Sequence, residues 1–389
     1  MKKFTLLASA LVFGAALNAS PLITVGDQVD IFLLGSVKGS WNSNIYNSAN
    51  KVDDYILTLK VGAEANYGRD SQFKANVKFY ELFNRYLGNA VCNNNLANLF
   101  ANASYTEERW NVAAGFSFQQ LGQNSDTLSD EIGNLGIEDI VRYDVYKAFI
   151  RGSYDFTDKI SGTVGFEWNR YAYQNYTNIY SNRDTFMVPV SVFYAVTEKI
   201  QAGLTYQYRT TEYNGGSAAS AAEYGSGVDD HYAGLSVRGE LLPKLTTEIF
   251  LGYAYRDLDN AAGTDDSTFS FSAKFNYLAT EKLTAYVRAY REFGNGAARQ
   301  SAINTGVEVG ANYLFSDKIS AFAVASYYYS EYMIQNRDDD HYMFSIGATW
   351  SPIQNTYVTA SYRYIDNASN INGTSYMGNL VSIEAGFKY

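Results

Sequence analysis

The feature that most limits this chain is the order of its connections. Short turns and long polar loops alternate without exception. The segment "FNYLATEKLTAYVRAY" (Phe275–Tyr290) shows the unit: two alternating stretches joined at Thr280-Glu281-Lys282. Near copies read "YDFTDKISGTVGF", "FYAVTEKIQAGLTY" and "NYLFSDKISAFAVASY". Eight such turns occur, near 68–71, 106–109, 157–159, 197–199, 243–244, 280–282, 317–318 and 352–355. The flanking stretches have a period of two, which sends successive side chains to opposite faces of a strand. After Lys199, for example, Ile200, Ala202, Leu204, Tyr206 and Tyr208 share one face, and Gln201, Gly203, Thr205, Gln207 and Arg209 share the other. Eight hairpins give sixteen strands. One more fits before them, Val29 to Trp41, and one after, Met377 to Tyr389.

An even strand number with short turns at one end and long loops at the other is the layout of an outer-membrane barrel. Hydrocarbon offers no hydrogen bonds, so a spanning sheet must close on itself. The expected fold is an all-β, transmembrane, antiparallel up-and-down β-barrel of about 18 strands (range 16–18). Its short turns and both termini lie in the periplasm and its long loops outside. A soluble sandwich or solenoid would have strands of about 5–6 residues and more edge prolines; this chain has 4 prolines in 389 residues.

The start of the chain fits an exported protein. Lys2 and Lys3 precede the apolar run "FTLLASALVFGAALNA", the layout of a secretory signal peptide cleaved after Ala19. Residues 1–19 are therefore expected to be the signal and 20–389 a single transmembrane barrel domain. The formal charge of -10, without a basic cluster, argues against a nucleic-acid partner. The single cysteine, Cys92, rules out an intramolecular disulfide.

Tyr67, Tyr105, Phe156, Tyr194, Tyr277, Tyr313 and Trp350 each precede a short turn, as an interfacial aromatic girdle requires. In the last strand Val381, Ile383, Ala385, Phe387 and Tyr389 share a face and the final residue is aromatic. Together with hairpins such as "VSVFYAVTEKIQAGLTYQYRTTEY" and the ending "VSIEAGFKY", these features resemble Gram-negative porins, and in particular the "putative β-barrel porin 2" group. The resemblance is architectural and covers residues 20–389; the trimeric porins' loop signature "PEFGG" is absent. It implies a water-filled channel for passive diffusion of small hydrophilic solutes. The partners it implies are outer-membrane lipid and lipopolysaccharide, and the barrel-assembly machinery acting on the strand that ends in Phe387 and Tyr389. A homotrimer and a part in exopolysaccharide passage stay open. A surface adhesin or receptor is the alternative from another class, with the loops Tyr213–Val228 and Leu87–Asn98 as its binding surfaces.

The polar faces would line the lumen. Their candidate pore-lining residues are Lys60, Lys74, Lys78, Lys147, Arg151 and Arg209, then Arg238, Glu248, Arg256, Lys274, Arg288 and Arg363. Adding Lys38 brings the cations of this wall to 12, against 7 glutamates: Glu64, Glu167, Glu240, Glu248, Glu292, Glu308 and Glu384. Such a wall favours anions weakly, and the remaining acid is assigned to loops. Cross-strand ion pairs, Arg238 with Glu248 for instance, are the plainer alternative. The third long loop, Leu121 to Ile140, is the candidate constriction, with Asp126, Asp130, Glu131, Glu138 and Asp139 facing the basic wall. Catalysis is not expected. The only histidines, His231 and His341, sit in equivalent "DDHY" phrases about six strands apart. No phosphate loop, zinc spacing or calcium loop occurs, and no cofactor is expected.

Overall fold

A computed structural model describes residues 19–26, 28–123, 137, 139–258, 265–334 and 336–389. The expected signal run, residues 1–18, lies outside them. A short strand, β1 (Ile23–Val25), comes first. Nine long strands follow: β2 (Val29–Asn42), β3 (Asp54–Tyr67), β4 (Phe73–Tyr86), β5 (Asn94–Thr106), β6 (Trp110–Gly122), β7 (Arg142–Asp155), β8 (Ile160–Tyr173), β9 (Ser181–Ala195) and β10 (Ile200–Gly215). After the helix α1 (Ala218–Tyr224) come β11 (Gly227–Leu242), β12 (Leu245–Leu258), β13 (Asp266–Leu278), β14 (Leu283–Asn295) and β15 (Ser301–Ser316). The last four are β16 (Ile319–Tyr332), β17 (Asp338–Trp350), β18 (Thr356–Ser369) and β19 (Tyr376–Lys388).

Each long strand pairs antiparallel with its sequence neighbours, and β19 pairs back onto β2 from Leu380↔Asn42 to Lys388↔Leu34. The ring of eighteen is closed, so no long strand leaves an open edge to lipid. The short turns gather at one end and the long connections at the other. Beyond the end of β19, β1 takes its place beside β2, with Ile23 opposite Ile31. The leading residues continue to the last short turn, where the Ser20 N–H donates to the Asn355 side-chain oxygen at 2.8 Å. At a strand spacing of about 4.8 Å and a usual tilt near 40°, eighteen strands give a backbone diameter of about 35 Å.

The repeated turn has a local cause. Thr157, Thr197 and Thr280 each use their hydroxyl to accept the backbone N–H groups two and three residues ahead, at 3.2 and 3.0 Å in all three turns. That motif satisfies donors a tight turn would leave bare. Replacing all three threonines by alanine is expected to lower stability by about 3 kcal/mol, since each net bond is worth roughly 1 kcal/mol and distant sites add. Urea unfolding in micelles checks this; a loss below about 1 kcal/mol contradicts it.

Apolar side chains face outward along every strand, as Leu57, Leu59 and Val61 do on β3 and Val190, Val192 and Tyr194 on β9. The inner face carries hydrogen-bonded polar rows. One runs Ser191–Thr205–Ser236 over β9, β10 and β11 at 2.8 and 2.7 Å. Of the girdle residues, Tyr67, Phe156, Tyr194, Tyr277, Tyr313 and Trp350 are exposed on the outside near the short turns.

Candidate functional site

The strand alternation turns Lys60, Lys74, Lys78, Lys147, Arg151, Arg209, Arg238, Glu248, Arg256, Lys274, Arg288 and Arg363 inward. Near the short-turn end, the seam is crossed by Lys60 Nζ to Glu384 Oε1 at 3.0 Å and Lys388 Nζ to Glu64 Oε1 at 2.8 Å. Arg151 pairs with Glu167 on the next strand. Arg238 lies opposite Glu248 in the register, but its guanidinium donates to Gln201 at 2.8 Å and rests 3.9 Å from the Phe193 ring centre. Arg288 and Lys78 likewise lie over Tyr290 and Tyr80. Cations stacked on rings keep their charge while losing rotamer freedom.

The loop end is different, because part of the wall leaves its place. The β13–β14 ladder stops at Phe271↔Arg291, yet β13 begins at Asp266 and β14 runs on to Asn295. The β14–β15 pairing continues to Asn295↔Ser301. Past Arg291 this hairpin is therefore free of β13 and folds into the barrel. Side-chain faces prove the bend. Val287, Val307 and Val309 are exposed on the outside, and a period of two would send Phe293 and Ile303 outward with them. Both are instead buried against Tyr232 and Ala254. The outer face of the hairpin thus rests on the inner face of β11 and β12.

Arginines hold it there. Arg209, Asp230 and Arg256 face one another directly across three adjacent strands. Asp230 Oδ1 accepts from Arg256 Nε at 2.6 Å, and Oδ2 accepts from Arg209 Nε at 2.7 Å and Arg256 Nη2 at 2.9 Å. The remaining donors reach the hairpin backbone: Arg209 to the Phe293 carbonyl at 2.7 Å, Arg256 to that of Gly294 at 3.0 Å, and Arg183 to that of Asn295. At the tip, Arg299 takes a left-handed backbone (φ 67°), a conformation that costs a non-glycine residue of order 1 kcal/mol. Its guanidinium is fixed by the Ser181 hydroxyl at 2.9 Å and the Gly215 carbonyl at 2.7 Å, with Gly225 beside it. Ala297 reaches the far wall, packing with Val141, Tyr143, Tyr173 and Tyr180 of β7, β8 and their loops. The tip therefore crosses the lumen from β14 to the β7–β8 side.

Of the constriction candidates on the third long loop, Asp126, Asp130, Glu131 and Glu138 lie outside the described residues. Asp139 is described: its carboxylate accepts from the Tyr176 hydroxyl at 2.6 Å, which raises that phenol's pKa. Ile137 joins the apolar cluster beside the hairpin tip, and Ile140 packs with Ile45, Tyr46, Tyr86 and Cys92. Burial pushes the Cys92 thiol up, away from the reactive thiolate. Among the described residues, the seventh long connection, not singled out from the sequence, lies inside the barrel. Its signal was present: small residues at the tip, "GNGAA", and arginines at the loop ends of β9, β10 and β12.

Several acids assigned to loops prove to be in strands. Asp184, Asp229, Asp230, Asp257, Asp266, Asp338, Asp339 and Asp340 all belong to strand ends, because the strands extend further out than the polar composition indicates. Two of them, Asp230 and Asp339, are buried inside with Arg256 and Arg337. The equivalent "DDHY" phrases are also out of step. His231 is on the outside, its Nδ1 2.8 Å from the Tyr206 hydroxyl. His341 is inside, stacked on Tyr328 at 4.0 Å. A register offset of one residue flips a strand's faces, so these histidines cannot converge on a substrate.

The family model described as "putative beta-barrel porin 2" matches residues 21–389. No curated protein shows significant sequence similarity to the chain. Among solved structures, the chain is similar to the outer membrane protein opdK from Pseudomonas aeruginosa, at 10% identity and a TM-score of 0.46, over 92% of this chain and 99% of that one. It is also similar to OmpT of Vibrio cholerae, at 12% identity and a TM-score of 0.41, over 94% and 100%. A third is the siderophore receptor PiuA from Acinetobacter baumannii, at 10% identity and a TM-score of 0.42, over 92% and 82%.

Proposed function

The chain belongs to the putative beta-barrel porin 2 family of the outer membrane, and we propose that it is a passive diffusion channel for small hydrophilic solutes with a weak preference for anions. The observation that carries this reading is the wall itself. A closed ring about 35 Å across is too wide for its own side chains to fill, and its inner face is polar. Of the strand residues that the alternation assigns to that face, 12 are cations and 7 are glutamates, although the chain as a whole is acidic; Asp230 and Asp339 add two carboxylates there, paired with Arg256 and Arg337. A like-signed wall raises the local concentration of counter-ions and selects for them. Lys60 and Arg151 are paired to Glu384 and Glu167, which softens the field and makes the preference weak. We assign no catalytic step to His231 and His341, which lie on opposite faces of the wall.

Reversal potential in a salt gradient tests the preference. The wild type should favour anions, and Lys74, Lys78, Lys147 and Arg151 changed together to glutamine should move the potential toward cation selectivity. An unchanged potential in that variant removes the basic-wall reading. A membrane-inserted barrel that stays electrically silent while binding a polymer or host ligand favours the adhesin reading instead.

A further inference from the structure

Two insertions cover much of the inner wall at the loop end. The folded-in hairpin covers β9 to β12, where the inward-facing Arg183, Thr211, Asp230, Tyr232, Ala254 and Arg256 are all buried. The first long loop covers β3 to β7 in the same way. Its Ile45 packs with Tyr86, Cys92 and Ile140, and Asn47 Nδ2 donates to the Gln123 carbonyl just past β6 at 3.0 Å. Beneath it the inward-facing Asp54, Asn94, Leu96, Asn98 and Val145 are buried. Side chains packed away from water do not meet a passing solute. The remaining sector, β16 to β19, differs. Ser330, Asp339, Met343 and Asn367 are buried there too, but a row of their inward-facing neighbours stays half-buried, open on the lumen side. Tyr328 lies opposite His341, and Arg363 opposite Leu380. Ile365 shares the face of Arg363, two residues nearer the loops, and is half-buried as well. On the facing bank, Tyr290, Glu292 and Asn304 of the hairpin's lumen side are half-buried in the same way.

We infer that solutes cross the outer half of the barrel off its axis, in the sector between the hairpin and β16–β19, and that Ile365 is a position where side-chain charge decides which ions pass. This rests on the channel reading, since it says where in the lumen the current runs. A charge at position 365 stands beside each passing ion, within the screening length of about 8 Å at physiological salt. Packed protein separates the covered sectors from that stream, so the inner faces of β9–β12 and β3–β7 contribute little to selectivity at this level.

The test uses single cysteines in the full-length refolded protein carrying Cys92→Ser. Ile365→Cys and His341→Cys face the inferred path; Ala254→Cys and Val145→Cys sit in the two covered sectors, where the native residues are 0% and 2% exposed. Each is treated with an anionic or a cationic methanethiosulfonate. Labelling is followed by mass, and reversal potential is measured in a planar bilayer with a salt gradient. The first two thiols should react at least about tenfold faster than the covered pair, because a buried thiol reacts only through local opening. The anionic tag on Ile365→Cys should move the reversal potential toward cations, and the cationic tag toward anions. Fast labelling of Ala254→Cys or Val145→Cys overturns the inference, and so do tags of opposite sign on Ile365→Cys that leave one and the same potential. Labelling needs no current, which keeps the two readings apart. Inserted barrels that label in the expected pattern and stay silent defeat the channel reading, and this inference with it. Conducting barrels with the wrong pattern defeat this inference alone.

Discussion

Replacing Gly294–Gln300 with a short glycine-serine turn should raise single-channel conductance several-fold and increase anion selectivity. The ring is about 35 Å across at the backbone, so side chains alone leave a wide lumen. The hairpin is the described element that spans it, from β14 to the Tyr180 and Val141 side. Narrow and wide sections of a pore act in series, so removing the narrowest dominates the result. The barrel should survive, because the β13–β14 ladder ends at Arg291, before the replaced segment. Selectivity should follow because Arg183 and Arg256 lose the carbonyl acceptors at Asn295 and Gly294 and face lumen water. Unchanged conductance would place the narrowest section elsewhere, with the third long loop first in line.

The second large effect is on stability. Asp230→Ala should destabilise the barrel by about 3–5 kcal/mol, the usual result of removing one partner from a buried ion pair. Asp230 and Arg256 are both wholly buried, and Arg209 is 14% exposed. The substitution leaves two guanidiniums without their shared carboxylate. Glu167→Gln, by contrast, should change stability by less than about 1 kcal/mol, since its partner Arg151 is 45% exposed and well solvated. Urea unfolding of both variants in the same micelles checks the contrast. Equal losses would mean that the lumen end, and not burial, sets the strength of these pairs.

The architecture was legible in the sequence because a barrel repeats one rule. Period-two alternation is local, and so are turns such as Thr280-Glu281-Lys282. Summing eight of them yields the strand number without any long-range information. Even strand limits fall close: the first long strand was expected at Val29–Trp41 and spans Val29–Asn42. Closure followed from hydrocarbon's lack of hydrogen-bonding partners. The inward hairpin was not found because it breaks the same rule. Phe293 and Ile303 continue the outward pattern perfectly, and only the end of the β13–β14 ladder at Arg291 shows that their face has been turned onto Tyr232 and Ala254. That contact joins residues more than 38 positions apart and leaves no periodic trace. The two "DDHY" phrases show the same limit. Identical words take opposite faces when the register differs by one residue, and register is fixed by pairing partners rather than by the phrase itself.

The most direct test is electrical. The refolded full-length protein is added to a planar bilayer, and insertion is verified independently by protease protection. Discrete steps with a linear current–voltage relation, larger in the variant lacking Gly294–Gln300, are the predicted result. Inserted barrels that pass no current, with the tip or without it, would contradict the account at its root.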